Sequence, residues 1–290
     1  MDSRTIGNRT VSAIGLGGMP MSIEGRPERE RSIDTIHAAL DAGVTFIDTA
    51  DAYHLEAGEV GHNETLIAEA LASYGRDTSH VLVATKGGHL RPGDGSWTQN
   101  GHPDYLKEAA KASLARLGGD AIGLYQFHRP DPAVPYADSI GALKDLLDDG
   151  VIELAGISNA TIAQIDEAHG ILGGSLVSVQ NQFSPRFLSS RSELEHAAAL
   201  GLAFLPWSPL GGISNASELA SSHAAFAEVA EAHGVSPYQV TLAWELSLAP
   251  SVIPIPGASR PSSITDSAKA TDLQLTPDDI ATIEASLVAS

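Results

Sequence analysis

Thr45-Phe46-Ile47-Asp48-Thr49-Ala50-Asp51-Ala52-Tyr53 is a short apolar run that feeds into an acid and then reaches a tyrosine at Tyr53. A run of this kind reads as a buried strand. Polar chemistry at its carboxyl end reads as the rim of an active site in an α/β fold. The same event recurs twice downstream. Val81-Leu82-Val83-Ala84-Thr85 runs into Lys86, and Ile122-Gly123-Leu124-Tyr125-Gln126-Phe127 runs into His128. Three successive strands that deliver Asp with Tyr, then Lys, then His point to proton transfer.

Outward from that stretch, apolar runs alternate with helical patterns along the whole chain. Strands are expected at Val11–Gly17, Thr45–Asp48, Val81–Thr85, Ile122–Phe127, Leu154–Ile157, Leu176–Val179, Ala203–Pro206 and Val252–Ile255. Helical periodicity covers Arg29–Ala42, Glu64–Ser73, Tyr105–Leu117, Ile140–Asp149, Ile162–Leu172, Glu193–Leu200, Phe226–Glu231, Tyr238–Leu248 and Pro277–Val288. Ser236-Pro237 and Thr276-Pro277-Asp278-Asp279 read as N-cap, first-turn proline and first-turn acids. Gly43, Gly150, Gly173 and Gly201 stand where helices should stop. Eight strand–helix units without a break in composition predict a (β/α)8 TIM barrel, an α/β fold in which residues 1–290 form a single domain. A doubly wound sheet is disfavoured, because Gly15-Leu16-Gly17-Gly18-Met19-Pro20 runs into a proline rather than a phosphate-binding helix. Ser3–Ile6 and Thr10–Ser12 flank Gly7-Asn8, which predicts an N-terminal β-hairpin able to plug the barrel floor. The Gly-rich loop Gly87–Gly101 is expected to cover the mouth.

Composition bounds the partners. The chain has 290 residues, 43% of them hydrophobic, a net charge of -19 and no cysteine. Disulfides and thiolate metal sites are therefore excluded. So strong an acidic balance argues against nucleic acid, whose phosphates need clustered Lys and Arg. No run of 18 apolar residues and no signal-peptide core is present, so the expectation is a cytoplasmic protein with no membrane partner. No metal-ligand spacing of the H-x-x-x-H kind occurs, and no metal site is expected. His37, His62, His80, His169, His196, His223 and His233 read as surface or capping residues. A closed barrel needs no partner, so a monomer is expected.

Seven segments carry a family resemblance: Asp48-Thr49-Ala50-Asp51-Ala52-Tyr53, Ala84-Thr85-Lys86-Gly87-Gly88, Gln126-Phe127-His128-Arg129, Gly156-Ile157-Ser158-Asn159, Val179-Gln180-Asn181, Pro206-Trp207-Ser208-Pro209-Leu210-Gly211 and Ile255-Pro256-Gly257-Ala258-Ser259-Arg260. In this order, each at a strand end, they resemble the aldo-keto reductase family over nearly the whole chain. The resemblance implies hydride transfer from a nicotinamide to the carbonyl of a small-molecule aldehyde or ketone. Tyr53 would be the general acid, Lys86 and Asp48 would tune it, and His128 would orient the carbonyl. The residue types suit these roles. A free tyrosine titrates near ~10, and an adjacent ammonium would lower that value. Taken singly, Asp48 could be a cap, Tyr53 a wedge, Lys86 a solvated cation and His128 a core histidine. Together, at matching strand ends, they favour catalysis.

The resemblance also implies a cofactor cradle. Ser158, Asn159 and Gln180 would bond the nicotinamide carboxamide, and Trp207 would stack on the ring. Ser208, Pro209, Leu210 and Gly211 would wrap the pyrophosphate, while Gly18 and Met19 would touch the ribose. Gly257, Ser259, Arg260, Ser263 and Ser267 would surround the adenine end. Arg260 beside a helix N-terminus suits a 2′-phosphate, so NADPH is favoured over NADH. The family often carries a larger or basic residue where Ser263 stands and Asn where Ser267 stands. With the final helical pattern ending near Ser290, a fairly open pocket is expected, walled by His54, His89, Leu90 and Trp97, with Phe183, Phe187 and the segment after Gly212 contributing. A nicotinamide-binding redox-sensing subunit with little turnover is the alternative. A third reading, a different barrel enzyme such as a lyase or isomerase using Lys86 as a Schiff base, is disfavoured by the seven matched segments.

Overall fold

The computed structural model describes residues 1–212 and 224–288. β1 (Ser3–Ile6) and β2 (Arg9–Ser12) form the antiparallel hairpin, turned at Gly7 with φ 58°. The alternating units follow: β3 (Leu16–Gly17), α1 (Arg29–Asp41), β4 (Phe46–Asp48), α2 (His62–Ser73) and β5 (Leu82–Gly87). The short antiparallel pair β6 (His89–Leu90) and β7 (Thr98–Gln99) interrupts them. Then come α3 (Pro103–Leu117), β8 (Leu124–Phe127), α4 (Tyr136–Asp148), β9 (Ala155–Ser158), α5 (Ile162–Leu172), β10 (Leu176–Gln180), α6 (Arg191–Ala199) and β11 (Ala203–Phe204). Helices α7 (Ala224–His233), α8 (Pro237–Leu248), α9 (Pro261–Ala268) and α10 (Pro277–Val288) complete the described chain.

Seven strands pair in parallel in the order β11-β10-β9-β8-β5-β4-β3. The gap between β11 and β3 is closed by 251–257, an extended segment rather than the regular strand expected at Val252–Ile255. Ile253 N and Ile255 N donate to Phe204 O and Pro206 O on one side. Pro254 O and Pro256 O accept from Gly15 N and Gly17 N on the other. The two prolines have no N–H to return, so half a ladder forms and the barrel closes through it. The expected first strand, Val11–Gly17, is likewise divided. Ser12 and Thr45 exchange side-chain-to-backbone bonds of 2.8 and 2.9 Å, which draws Ser12 out of the barrel wall and into the hairpin. α4 begins four residues before the expected Ile140, because Pro135 supplies its N-cap position.

Strand side chains alternate in direction, and this sorts the core. Phe46, Leu82, Ala84 and Leu124 point into the barrel with Ile6 and Val11 of the hairpin, so the hairpin does plug the floor. Ile47 faces outward onto Ile36 and Leu66 of α1 and α2. The next inward positions toward the carboxyl ends are Asp48, Lys86 and Gln126. The barrel interior is therefore apolar below and polar in its top layer. A β-bulge between Leu176 and Ser178 lets Ser178 also face inward. Gly156 makes room for this layer, since a Cβ there would stand 2.3 Å from Ser178 Oγ and 2.9 Å from Gln126 Cγ.

Candidate active site

Lys86 is fully buried and spends all three ammonium protons at the top of the barrel. Its Nζ donates to Asp48 Oδ1 at 2.5 Å, to Thr49 O at 2.8 Å and to Tyr53 Oη at 3.0 Å. The Tyr53 oxygen thus accepts from the ammonium, and its own O–H remains for another acceptor. Asp48 Oδ2 accepts from Gln180 Nε2 at 2.8 Å and Gln126 Nε2 at 3.2 Å. With both carboxylate oxygens bonded, the buried charge pair meets the condition for tolerating desolvation. Gln126 was missed in the sequence. It lies two residues before His128, on the inward face, and that period-2 spacing was the signal for it.

His128 is 7% exposed, its ring edge-on to Tyr53 at 5.8 Å between centroids. Its Nδ1 is buried without a partner. Burial, with the Lys86, His89 and Arg129 charges adding to it, holds His128 well below the usual imidazole range, so the ring is neutral at pH 7. His89 stacks on Trp97 at 4.7 Å and is drawn down to about 4, chiefly by burial. For Lys86, burial alone would lower the ammonium, but the neighbouring Asp48 carboxylate and Tyr53 hold it above its ordinary value. The balance at Tyr53 runs opposite to the sequence expectation. Burial raises the phenol above 10 and outweighs the downward pull of Lys86. Tyr53 is therefore a neutral phenol here and keeps the proton that an acid must give.

A cavity of about 600 Å³ opens over these groups. Of the proposed cofactor residues, Met19, Asp48, Ser158, Asn159, Gln180, Trp207, Ser208, Pro209, Leu210 and Gly257 line it. Gly18 and Gly211 stand just behind the wall, and the Gly211 N–H closes a turn onto Ser208 O at 2.9 Å. Ser259, Arg260 and Ser263 lie beyond it, around the start of α9, and Ser267 lies in the last turn of that helix. Arg260 is exposed and donates from Nε to Ser263 Oγ at 2.9 Å, while Ser267 is buried. Of the expected walls, His89 and Trp97 line the cavity. His54 does not, because its Nδ1 turns to Glu56 O at 2.7 Å. Leu90 lies outside the lining, Phe183 is fully buried against Trp244 and Phe204, and Phe187 is an exposed loop residue. The segment after Gly212 falls on 213–223, outside the described residues. The loop Gly87–Gly101 covers one side of the mouth through the β6–β7 pair. Pro20, Ile23, Glu24, Gln99 and Arg129 also line the cavity. Sequence reasoning gave them no place in the wall, because loops and a two-residue strand such as β7 are too irregular or too short to show a period.

The residues fit a nicotinamide dinucleotide. Asn159 Nδ2 is committed to His128 O and Ser158 Oγ, both at 3.0 Å, and Gln180 Nε2 to Asp48. Their carbonyl oxygens are left as acceptors for an amide N–H. Trp207 offers a flat ring at the cavity wall. Gly257 permits close approach of the loop after β3, since a Cβ there would stand 2.7 Å from Pro20 Cγ. Among the described residues, no cluster of His and acidic side chains could hold a metal ion.

The profile of the aldo/keto reductase family matches residues 13–288. A 6-dehydroglucose reductase of Novosphingobium aromaticivorans is 35% identical over 90% of this chain and 86% of its own. An uncharacterized oxidoreductase of Schizosaccharomyces pombe is 32% identical over 96% and 88%. The structure of a glycerol dehydrogenase from Gluconobacter oxydans superposes with a TM-score of 0.84 at 24% identity, covering 99% of this chain and 95% of that one. This last likeness shows the barrel fold.

Proposed function

This chain belongs to the aldo/keto reductase family of nicotinamide-dependent oxidoreductases, and from that premise we propose that it reduces an aldehyde or ketone to an alcohol with NADPH, Tyr53 supplying the proton. The observation that carries the reading is the 3.0 Å contact in which the Tyr53 oxygen accepts from Lys86. The phenol O–H is thereby directed away from the ammonium and is available to a carbonyl oxygen in the cavity.

When bound, the cofactor supplies hydride to the carbonyl carbon. The chain's residues manage the charge that develops on oxygen. Tyr53 donates its proton to that oxygen, and Lys86 stabilises the phenolate left behind. Asp48 keeps Lys86 charged and aimed, and Gln126 and Gln180 hold the Asp48 carboxylate in position by donating to it. Neutral His128 donates a hydrogen bond to the same carbonyl oxygen without competing for the proton. Ser158, Asn159 and Gln180 hold the carboxamide, and Trp207 fixes which ring face meets the substrate. Ser208 to Gly211 follow the pyrophosphate. Arg260, with the N-terminus of α9, favours the 2′-phosphate of NADPH over NADH. The same reading treats residues 1–290 as one cytoplasmic, monomeric working unit. No helix among the described residues is long and apolar enough to cross a membrane. Relatives are named as a 6-dehydroglucose reductase and a pyridoxine 4-dehydrogenase, which supports a small-molecule substrate.

Tyr53→Phe tests the proposal. Carbonyl reduction should fall by about 10²–10⁴ in kcat/KM, the usual worth of a positioned acid, while fluorescence titration still shows NADPH binding. Unchanged reduction would overturn it. Tight cofactor binding by the unmodified protein with negligible turnover across simple aldehydes would favour the redox-sensing alternative.

A further inference from the structure

The charges around the cavity do not balance. Two acids line it, and each has a basic partner. Asp48 pairs with Lys86 at 2.5 Å, and Glu24 pairs with Arg91. His89 and His128 are neutral. Arg129 is the exception. It lines the cavity directly after His128, its Nε is buried without a hydrogen-bond partner, and among the described residues no carboxylate forms an ion pair with it. The nearest acid in sequence, Asp131, is committed elsewhere. Its Oδ2 accepts from Gly101 N and its Oδ1 from Ala133 N, both at 2.9 Å. A guanidinium stays charged in proteins. An unpaired buried donor is costly in an unliganded pocket and becomes useful when a ligand satisfies it.

We propose that Arg129 is a specificity-determining residue that pairs through its cavity-facing guanidinium with a carboxylate on the carbonyl substrate, so that the preferred substrates are aldehyde or keto acids. This rests on the carbonyl-reductase reading above and names the substrate class of the same site. One edge of the guanidinium fork presents two parallel N–H donors, which match the two oxygens of a planar carboxylate. The carboxylate undergoes no bond change. Hydride from the reduced nicotinamide and the proton from Tyr53 add across the C=O bond, leaving an alcohol, the oxidised cofactor and an unchanged carboxylate. Arg129 holds the far end of the molecule while Tyr53 and His128 meet the carbonyl oxygen.

The test compares matched substrates: 4-formylbenzoate against 4-methylbenzaldehyde, and 4-oxobutanoate against butanal. The unmodified enzyme should favour the acid of each pair in kcat/KM. Arg129→Met keeps the aliphatic stem and should lower the acid-to-neutral ratio by about tenfold to a hundredfold, the worth of a charge-assisted hydrogen bond. Arg129→Lys keeps the charge without the fork and should fall between. A merely structural role, or a role in holding the cofactor, would slow both members of a pair alike. A ratio that holds within twofold would therefore overturn the proposal while leaving the reductase assignment intact. A binding measurement separates the two failures further. Benzoate should quench the intrinsic tryptophan fluorescence of the unmodified protein more tightly than benzamide does, and Arg129→Met should abolish the difference. If no aldehyde is reduced by the unmodified enzyme, the reductase assignment fails. Equal binding of benzoate and benzamide overturns the Arg129 role whatever the turnover.

Discussion

Asp51 shows how one residue in the loop from Asp48 to Tyr53 can trade stability for its position. It is fully buried, with Oδ1 unpartnered, and burial together with the nearby Glu64 carboxylate pushes it up to about 8. Arg116 pulls the other way but is already bonded to Glu64 at 2.6 Å. The folded protein therefore keeps Asp51 protonated where the unfolded chain, with a carboxyl near ~4, has released the proton. Between those values the native state binds more protons than the unfolded state, so stability falls as pH rises through that window. Asp51→Asn removes the proton and the penalty together. Urea unfolding at pH 5, 6 and 7 should show the variant gaining on the parent by up to about 1.4 kcal/mol per pH unit. A gap that stays flat or narrows would show Asp51 to be ionised in the fold. The substitution should also leave Lys86 in place, because the direct bond between the two is one of backbone, Asp51 N to Lys86 O at 3.3 Å, which asparagine keeps.

At the scale of elements, the top of the barrel depends on what a strand omits. Gly156 faces inward on β9, where Gln126 and Ser178 need its missing side chain. Gly156→Ala should cost about 1–3 kcal/mol through overpacking and lower kcat as Gln126 is displaced from Asp48. Ser178→Gly should restore part of both, since it removes the oxygen at 2.3 Å. A thermal midpoint and kcat unchanged in the single variant would refute this account of the layer. The same elements explain which features could be read in advance. Asp48, Lys86 and His128 were visible because each ends an apolar run, and such ends meet at one face of an α/β fold. Tyr53 was visible from its spacing in the same stretch. The division of the first strand was not visible, because it rests on Ser12 and Thr45 exchanging bonds across 33 positions. The half-ladder of the eighth could have been anticipated from Pro254 and Pro256, which remove alternate donors. Arg129 stood in view beside His128, but its lack of a partner is a property of packing. The stacking of Trp97 on His89 and the commitment of His54 to Glu56 depend on loop conformation, which no periodicity encodes.

At the scale of the whole molecule, the net charge of -19 opposes the very ligand the site is built to hold. Reduced nicotinamide dinucleotides are anionic, and the 2′-phosphorylated form is the more so. An approaching molecule first meets the summed field, which is repulsive, and on the proposed reading only within a few ångströms meets Arg260 and the start of α9. Salt acts on these two stages in opposite senses. The Debye length is about 10 Å at 0.1 M and shorter above it, so added salt removes the long-range repulsion before it screens the close contact. Stopped-flow binding should show the NADPH association rate rising between about 0.02 M and about 0.3 M salt, with a smaller rise for NADH. Dissociation of NADPH should also speed up, because exposed Arg260, in its proposed role, would lose part of its hold on the phosphate. The proposed preference for NADPH should fall in Arg260→Gln, and its dissociation rate should then lose most of its dependence on salt. An association rate that drops with salt would mean that a local basic patch steers the cofactor, and the 2′-phosphate site would have to be sought in residues other than Arg260.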